Sequence, residues 1–288
     1  LYENLKTQSE AFIEITTQKN KYLDCKGKRI SKGFLLLITD MTEQRQLELA
    51  RRNFIADASH EFQTPLTVIR ASAEIMMDNP KLPQEEQKEL LNKIVNQQER
   101  LSRLVDDLLY LAKLEAQPNE SMMQKRQIVD LVQLLKEIVD EYRGYPQARK
   151  INWNVTMEPE CANVLASSEE LKKAIGNLLD NAVKFTRQKY GDEDGGFISV
   201  SLVDGHTHWR IQISDNGVGV SDEMTESIFD RFKKTSVPPK GRRKAVGYGL
   251  GLAITKNIVN AHGGLIELTS KIEPTTFTIS LPKFLEKI

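Results

Sequence analysis

Two apolar stripes at helical spacing, one on each side of a proline-containing break, constrain this chain more than any other feature. Between Glu43 and Met77, Phe62, Leu66, Ile69, Ala73 and Met76 recur at alternating steps of four and three. That rhythm is the seam of a coiled coil or helical bundle. Asn79-Pro80-Lys81-Leu82-Pro83 must end the helix. Leu90, Ile94, Leu101, Leu104, Leu108 and Leu111 then restart the pattern, and Leu91, Val95, Val105, Leu109 and Ala112 widen its apolar face. A hairpin cannot bury so broad a stripe alone. Pairing it with a copy gives a four-helix bundle and a two-fold dimer. The competing arrangement packs the hairpin on the rest of its own chain.

The flanking segments read differently. Before Glu43 there are two short apolar stretches, around Ala11 to Thr16 and Gly33 to Thr39, with Lys26-Gly27-Lys28 between them as a turn signal. After the hairpin, Gln117-Pro118-Asn119-Glu120-Ser121 reads as a hinge, and the pattern becomes mixed. Ile128 to Tyr142 reads as a helix entered from a short strand, and Ile151 to Met157 alternates as a strand. Ser167 to Phe185 is helical, with Ser167 or Ser168 as N-cap. Phe197 to Val203 and His208 to Ser214 form a hairpin across Asp204-Gly205. Thr276 to Leu281 is a last strand. The fold class is therefore multidomain: an antiparallel helical hairpin, then an α/β sandwich with helices on one face.

Composition narrows the function classes. Lys+Arg and Asp+Glu are both 40, for a net charge of zero, so the electrostatic pull toward nucleic acid is absent. Cys25 and Cys161 have no paired spacing, which argues against a disulfide framework and fits a reducing cytosol. The apolar run Phe34-Leu35-Leu36-Leu37-Ile38 is far short of the ~20 residues of a membrane span, and no signal peptide is visible. With its start at Leu1-Tyr2, the chain reads as the cytosolic piece of a longer protein, tied to a membrane only through a segment absent from it.

Four short segments carry chemistry. In Ser59-His60-Glu61-Phe62-Gln63-Thr64-Pro65-Leu66, helical geometry puts His60 about 160° from the apolar seam, in solvent, with Thr64 one turn along the same face. An exposed imidazole of ordinary pKa, ~6.5, is a usable nucleophile near neutral pH. Glu61 stands beside it as an acceptor for the other ring nitrogen. Pro65 cannot donate to the Glu61 carbonyl, so the helix is expected to loosen there. Asn177 and Asn181 are four apart on one helix face, with Lys184 three beyond. Amide oxygens there suit Mg²⁺, and the lysine suits a phosphate. Asp215-x-Gly217-x-Gly219 ends a strand with a carboxylate able to accept from an exocyclic amine. Gly247-x-Gly249-x-Gly251 opens a helix whose free N–H groups attract phosphate. Alone, each has a plain alternative: a surface histidine, solvated asparagines, a turn, a hinge. His206 and His208 lack further ligands nearby and read as turn residues.

Taken in order, these segments resemble the phosphoacceptor box, Asn box and two Gly boxes of bacterial sensor histidine kinases, over about residues 43 to 285. Their ATP-binding fold is shared with gyrase-type ATPases and Hsp90 chaperones. The resemblance implies catalytic roles for His60 (phosphorylated), Glu61 (assisting) and Thr64 (orienting water for dephosphorylation of the partner). It implies ATP and Mg²⁺ as cofactors, with Asn181 holding Mg²⁺ and Asp215 the adenine. Gly247, Gly249 and Gly251 would hold the phosphates, with Asn177, Lys184, Gly217, Gly219, Phe232 and Leu250 completing the site. Ile228-Phe229-Asp230-Arg231-Phe232 matches the Phe box, and 233–246 the ATP lid, with Lys240, Arg242, Arg243 and Lys244. Gln63 departs from the usual Arg or Lys, and Pro238-Pro239 from the usual lid. Phe34 to Glu43 resembles the last strand and exit motif of a PAS sensory domain, whose Asp40-x-Thr42 element joins sensor to helix.

The implied domains are 1–42, a PAS remnant; 43–118, the dimerisation and phosphotransfer hairpin; and 119–288, the catalytic ATP-binding domain. The implied partners are a response-regulator receiver domain and a second copy of the chain. The rival readings are an ATP-driven conformational machine of the gyrase or Hsp90 type, and a non-catalytic dimeric scaffold.

Overall fold

The computed structural model describes residues 10–17, 21–116, 126–234 and 247–284. The hinge expected at Gln117 to Ser121 and the lid residues 235–246, among them Pro238, Pro239, Lys240, Arg242, Arg243 and Lys244, lie outside them. The chain divides into two compact units, Leu1–Ala71 and Ser72–Ile288.

The first unit opens with an antiparallel sheet, β1 (Glu10–Thr16), β2 (Tyr22–Ile30) and β3 (Gly33–Asp40), in that order. The expected turn at Lys26-Gly27-Lys28 is wrong. These residues lie inside β2, the central strand, where Gly27 faces Ala11 on one side and Leu36 on the other. Ladder bonds on both sides outweigh the weak strand preference of Lys and Gly, and the chain turns instead between Ile30 and Gly33. Helix α1 (Thr42–Asp78) follows at once. Asp40 makes its entry: its carboxylate accepts from the Thr42 N–H at 3.0 Å and from the Thr42 hydroxyl at 2.5 Å. The Tyr22 N–H donates to that same hydroxyl. The Thr42 hydroxyl beside Asp40 holds its carboxyl below the usual range. Arg45 pairs with Glu14 at 2.7 Å, a second tie between sheet and helix.

In the second unit, α2 (Gln84–Ala116) precedes the α/β portion. Its Leu90, Leu104 and Leu111 are buried, whereas Leu91, Val95, Val105 and Leu109 are exposed. After it come β4 (Gln127–Asp130), α3 (Leu131–Arg143), a 3-10 turn at Pro146–Ala148, β5 (Ile151–Met157), β6 (Asn163–Ala166) and α4 (Ser168–Tyr190). The unit ends with β7 (Gly196–Asp204), β8 (His208–Asp215), α5 (Asp222–Thr225), α6 (Gly251–Ala261), β9 (Leu265–Ser270) and β10 (Thr275–Pro282). Strands β6 and β9 and the short α5 are additions to the sequence reading. The main sheet runs β5-β7-β8-β10-β9, with β5 and β7 parallel and the other pairs antiparallel; β4 and β6 form a separate ribbon.

Period-two alternation builds the core. Ile198, Val200 and Leu202 of β7 and Trp209, Ile211 and Ile213 of β8 face inward. They form one apolar cluster with Leu131, Leu135 and Ile138 of α3 and Leu171, Ile175, Leu178 and Leu179 of α4. Caps fix the helix starts. Asp130 accepts from Val132 N at α3, and Ser167 accepts from Glu170 N at α4. Buried His262, just past α6, accepts from the Ser167 N–H at 3.1 Å through Nε2, while Nδ1 faces the Ile258 carbonyl at 2.8 Å. This geometry requires the neutral ring protonated at Nδ1, and burial holds the His262 pKa below its ordinary value.

Candidate functional site

Within the first unit, His60 and Thr64 are exposed on α1 and Glu61 is half-buried. Helix α1 continues through Pro65 without interruption. The Thr64 hydroxyl lies 3.5 Å from the His60 carbonyl, a weak contact. The imidazole therefore meets solvent, as helical geometry requires, and it stands on a continuous helix.

Within the second unit, α4, the end of β8 and the start of α6 surround a cavity of about 920 Å³, ample for a nucleotide. Asn177, Asn181, Lys184, Asp215, Gly219, Gly247, Gly249, Leu250 and Gly251 all line it. Gly217 and Phe232 are not among its lining residues; the Gly217 N–H donates to Asp215 and the Phe232 N–H to the Gly249 carbonyl. Asp215 takes the next inward position after Ile213 on β8, so a carboxyl stands where the pattern calls for a core residue. It is 5% exposed. Burial pushes its pKa up to about 7, against the opposing effects of the Gly217 N–H and the Lys189 charge. The Gly217 N–H donates to it at 2.9 Å.

Asn177 and Asn181 differ in what they do. Asn177 Nδ2 donates to the Gly251 carbonyl at 3.0 Å and to Thr255 Oγ1 at 3.4 Å, so it is a strut holding α6 to α4. Asn181 carries no such strut among the described residues, and it remains the asparagine suited to a cation. Lys184 Nζ sits against Gly247, where an added Cβ would lie 2.9 Å away. Burial lowers the Lys184 pKa, as does repulsion from Lys234, and a bound phosphate would relieve both. The fit to a magnesium–polyphosphate is an amide oxygen, an ammonium and glycine backbone on one wall.

The second glycine run is fixed at Gly249. Its φ is +75°, and a Cβ there would lie 2.5 Å from the Lys233 carbonyl oxygen. Its own carbonyl accepts from the Phe232 N–H at 2.8 Å, and Phe232 is itself held at φ 60°. The Phe box and the second Gly box are thus tied backbone to backbone. Gly249→Ala is expected to cost roughly 1–3 kcal/mol and to weaken ATP binding, read by thermal denaturation and ligand titration of the same preparation.

Sequence reasoning missed several contributors. Asn216 donates to Tyr190 Oη and the Gly195 carbonyl and accepts from Phe197 N, pinning the loop beside Asp215. Tyr248 and, from helix α2, Arg100 also line the cavity. Tyr248 was visible inside the Gly box; Arg100 had no local signal.

Residues 50–117 match the family model described as the His Kinase A (phospho-acceptor) domain. Residues 166–284 match the histidine kinase-, DNA gyrase B- and HSP90-like ATPase. The chain belongs to the two-component sensor histidine kinases. It is 32% identical over 275 residues to Sensor protein SrrB of Staphylococcus aureus strain N315, covering 94% of this chain and 44% of that protein. The chain therefore spans less than half the length of the curated relatives it matches. Among solved structures, the histidine kinase ThkA in complex with response regulator protein TrrA is 21% identical with a TM-score of 0.63, covering 100% of this chain and 83% of that one. Acinetobacter baumannii histidine kinase AdeS is 22% identical with a TM-score of 0.58, over 77% of this chain and 97% of that one. Both likenesses concern the sensor-kinase fold. Among the described residues, no helix is long and apolar enough to cross a membrane.

Proposed function

We propose that this chain autophosphorylates on His60 from ATP and passes the phosphoryl group to an aspartate of a response-regulator receiver domain. The observation that carries the reading is an exposed histidine on a continuous helix, within the phosphoacceptor match, in a chain that also holds an ATPase-type cavity ending on a buried carboxylate. A ring nitrogen of His60 attacks the γ-phosphorus, the bond to the β–γ bridging oxygen breaks, and ADP leaves with that oxygen. Glu61 accepts a hydrogen bond from the other ring N–H and stabilises the positive charge that develops on the ring. Asp215 receives the adenine amine, Lys184 and the Gly247–Gly251 backbone receive phosphates, and Asn181 supplies an oxygen to Mg²⁺, which neutralises phosphate charge when bound. Such transfer is mainly positioning.

The proposed organisation is a PAS-like remnant at 1–42, the phosphotransfer hairpin at 43–118 and the catalytic domain at 119–288. Support for the first is the antiparallel sheet and the Asp40–Thr42 exit. Its β3 residues Phe34 to Ile38 are all exposed, as expected of a strand whose covering layer belongs to the rest of a sensor. Support for a homodimer is the exposed Leu91, Val95, Val105 and Leu109 of α2. An ATP donor and a receiver partner fit a cytoplasmic setting, with any membrane tie through another segment of the protein.

Thr64→Ala is expected to spare autophosphorylation and to slow dephosphorylation of the phosphorylated regulator by roughly ten-fold or more, because its hydroxyl would orient the attacking water. The check is to mix unlabelled kinase with phosphorylated regulator and follow phosphate loss. Equal rates for variant and wild type would leave Thr64 a surface residue.

A further inference from the structure

Helix α2 contributes to the nucleotide cavity, and its contribution is cationic. Arg100 lines the cavity together with Asn181, Lys184 and the Gly247–Gly251 run. Its guanidinium carbon lies 5.7 Å from the ring centroid of Tyr248, the residue between two glycines of that run. Arg100 donates to Oε1 of neutral Gln97 at 3.3 Å. Its Nε is buried without a hydrogen-bond partner. Among the described residues no carboxylate pairs with it. Asp107, the nearest acid along α2 on the cavity wall, is taken by Lys173 at 3.1 Å, and Lys173 also lies over the Tyr110 ring at 4.6 Å.

A buried guanidinium N–H without an acceptor is costly unless an anion comes to it. The adenine end of the cavity is marked by Asp215, an acid that repels phosphate. Arg100 lines the cavity next to Tyr248 of the glycine run, and Lys184 lies against Gly247 of the same run. The Tyr248 ring lies within cation–π reach of the guanidinium, whose planar fork suits paired phosphate oxygens.

We propose that Arg100 is a further nucleotide-binding residue, reaching from α2 to the β- and γ-phosphates of ATP across the Tyr248 ring. This rests on the nucleotide reading of the cavity. It also means that ATP clamps the second hairpin helix to the catalytic fold, so nucleotide occupancy and the position of α2 are linked.

The test is calorimetric titration of the whole chain with Mg–ATP and with AMP, for wild type, Arg100→Ala, Arg100→Lys and, as a control on the same helix, Glu99→Ala. Arg100→Ala is expected to weaken ATP about ten- to a hundred-fold, the range of a lost charge-assisted contact, and AMP less than about two-fold. Arg100→Lys should recover part of the loss, and Glu99→Ala should match wild type. An Arg100 that merely packs α2 against Tyr248 would shift ATP and AMP by the same factor or shift neither; either result overturns the proposal while leaving the nucleotide reading in place. Failure of wild type to bind ATP at all would overturn both.

Discussion

Asp215→Asn is expected to abolish nucleotide binding and, at the same time, to stabilise the nucleotide-free protein. The binding loss follows from chemistry. In the proposed site the buried carboxylate accepts from an adenine amine, whereas an amide presents its own N–H donors to that amine. Affinity should fall about a hundred-fold or more. The stability gain follows from linkage. Burial raises the Asp215 pKa from 3.8 to about 7. Between those values the folded state holds a proton that the unfolded chain has released, so stability falls as pH rises through the window and levels off above about 7. A ten-fold difference in proton affinity between folded and unfolded chain corresponds to about 1.4 kcal/mol, so removing the ionisable group is expected to return about 1–4 kcal/mol at pH 8. Thermal melts at pH 5 and pH 8 check it: wild type should lose stability across that range by more than the variant does. The ionised carboxylate is the stronger acceptor for the proposed adenine amine, so wild-type AMP affinity is expected to rise toward pH 8 more steeply than the phosphate's own titration accounts for. Parallel pH curves for wild type and variant would refute the assignment of Asp215.

His60→Gln is expected to keep ATP affinity within about two-fold and to remove phosphorylation entirely. Glutamine preserves size and polarity on an exposed helix position, where substitutions usually change stability by less than about 0.5 kcal/mol. It offers no basic nitrogen for attack on phosphorus. The proposed nucleotide contacts all lie in the other compact unit, so the two effects should separate cleanly. Titration with ATP and labelling with γ-labelled ATP, run on one preparation, read both. A His60→Gln protein that still takes up label at the wild-type rate would remove His60 from the mechanism.

The hairpin helices were legible because their apolar residues repeat over many turns, and a long periodic signal survives local exceptions. Asp215 was legible as a carboxylate at a strand end. Its burial emerges only from the structure, where β8 runs on to Asp215 in phase with the inward Trp209, Ile211 and Ile213. Strand β2 was hidden because Lys26-Gly27-Lys28 looks like a turn, and only pairing with both β1 and β3 makes it a strand. The short β6 and β9 carry too few residues for a pattern. Asn177 illustrates a finer limit. Helical spacing put it on one face with Asn181, and both line the cavity, but that Asn177 also braces α6 depends on Gly251 and Thr255, far along the chain. Arg100 is the extreme case, since its meeting with Tyr248 is a purely tertiary event.

On the proposed mechanism, phosphate from ATP ends on an imidazole nitrogen of this chain. The most direct measurement is to incubate the wild-type protein with γ-labelled ATP and Mg²⁺, then divide the labelled protein between acid and strong base. A phosphohistidine loses its label in acid and keeps it in base, because protonation makes the ring a good leaving group and hydroxide does not. The expected result is label that is acid-labile, base-stable and absent from His60→Gln. ATP hydrolysis with no label on the protein, or label that survives acid, would contradict it.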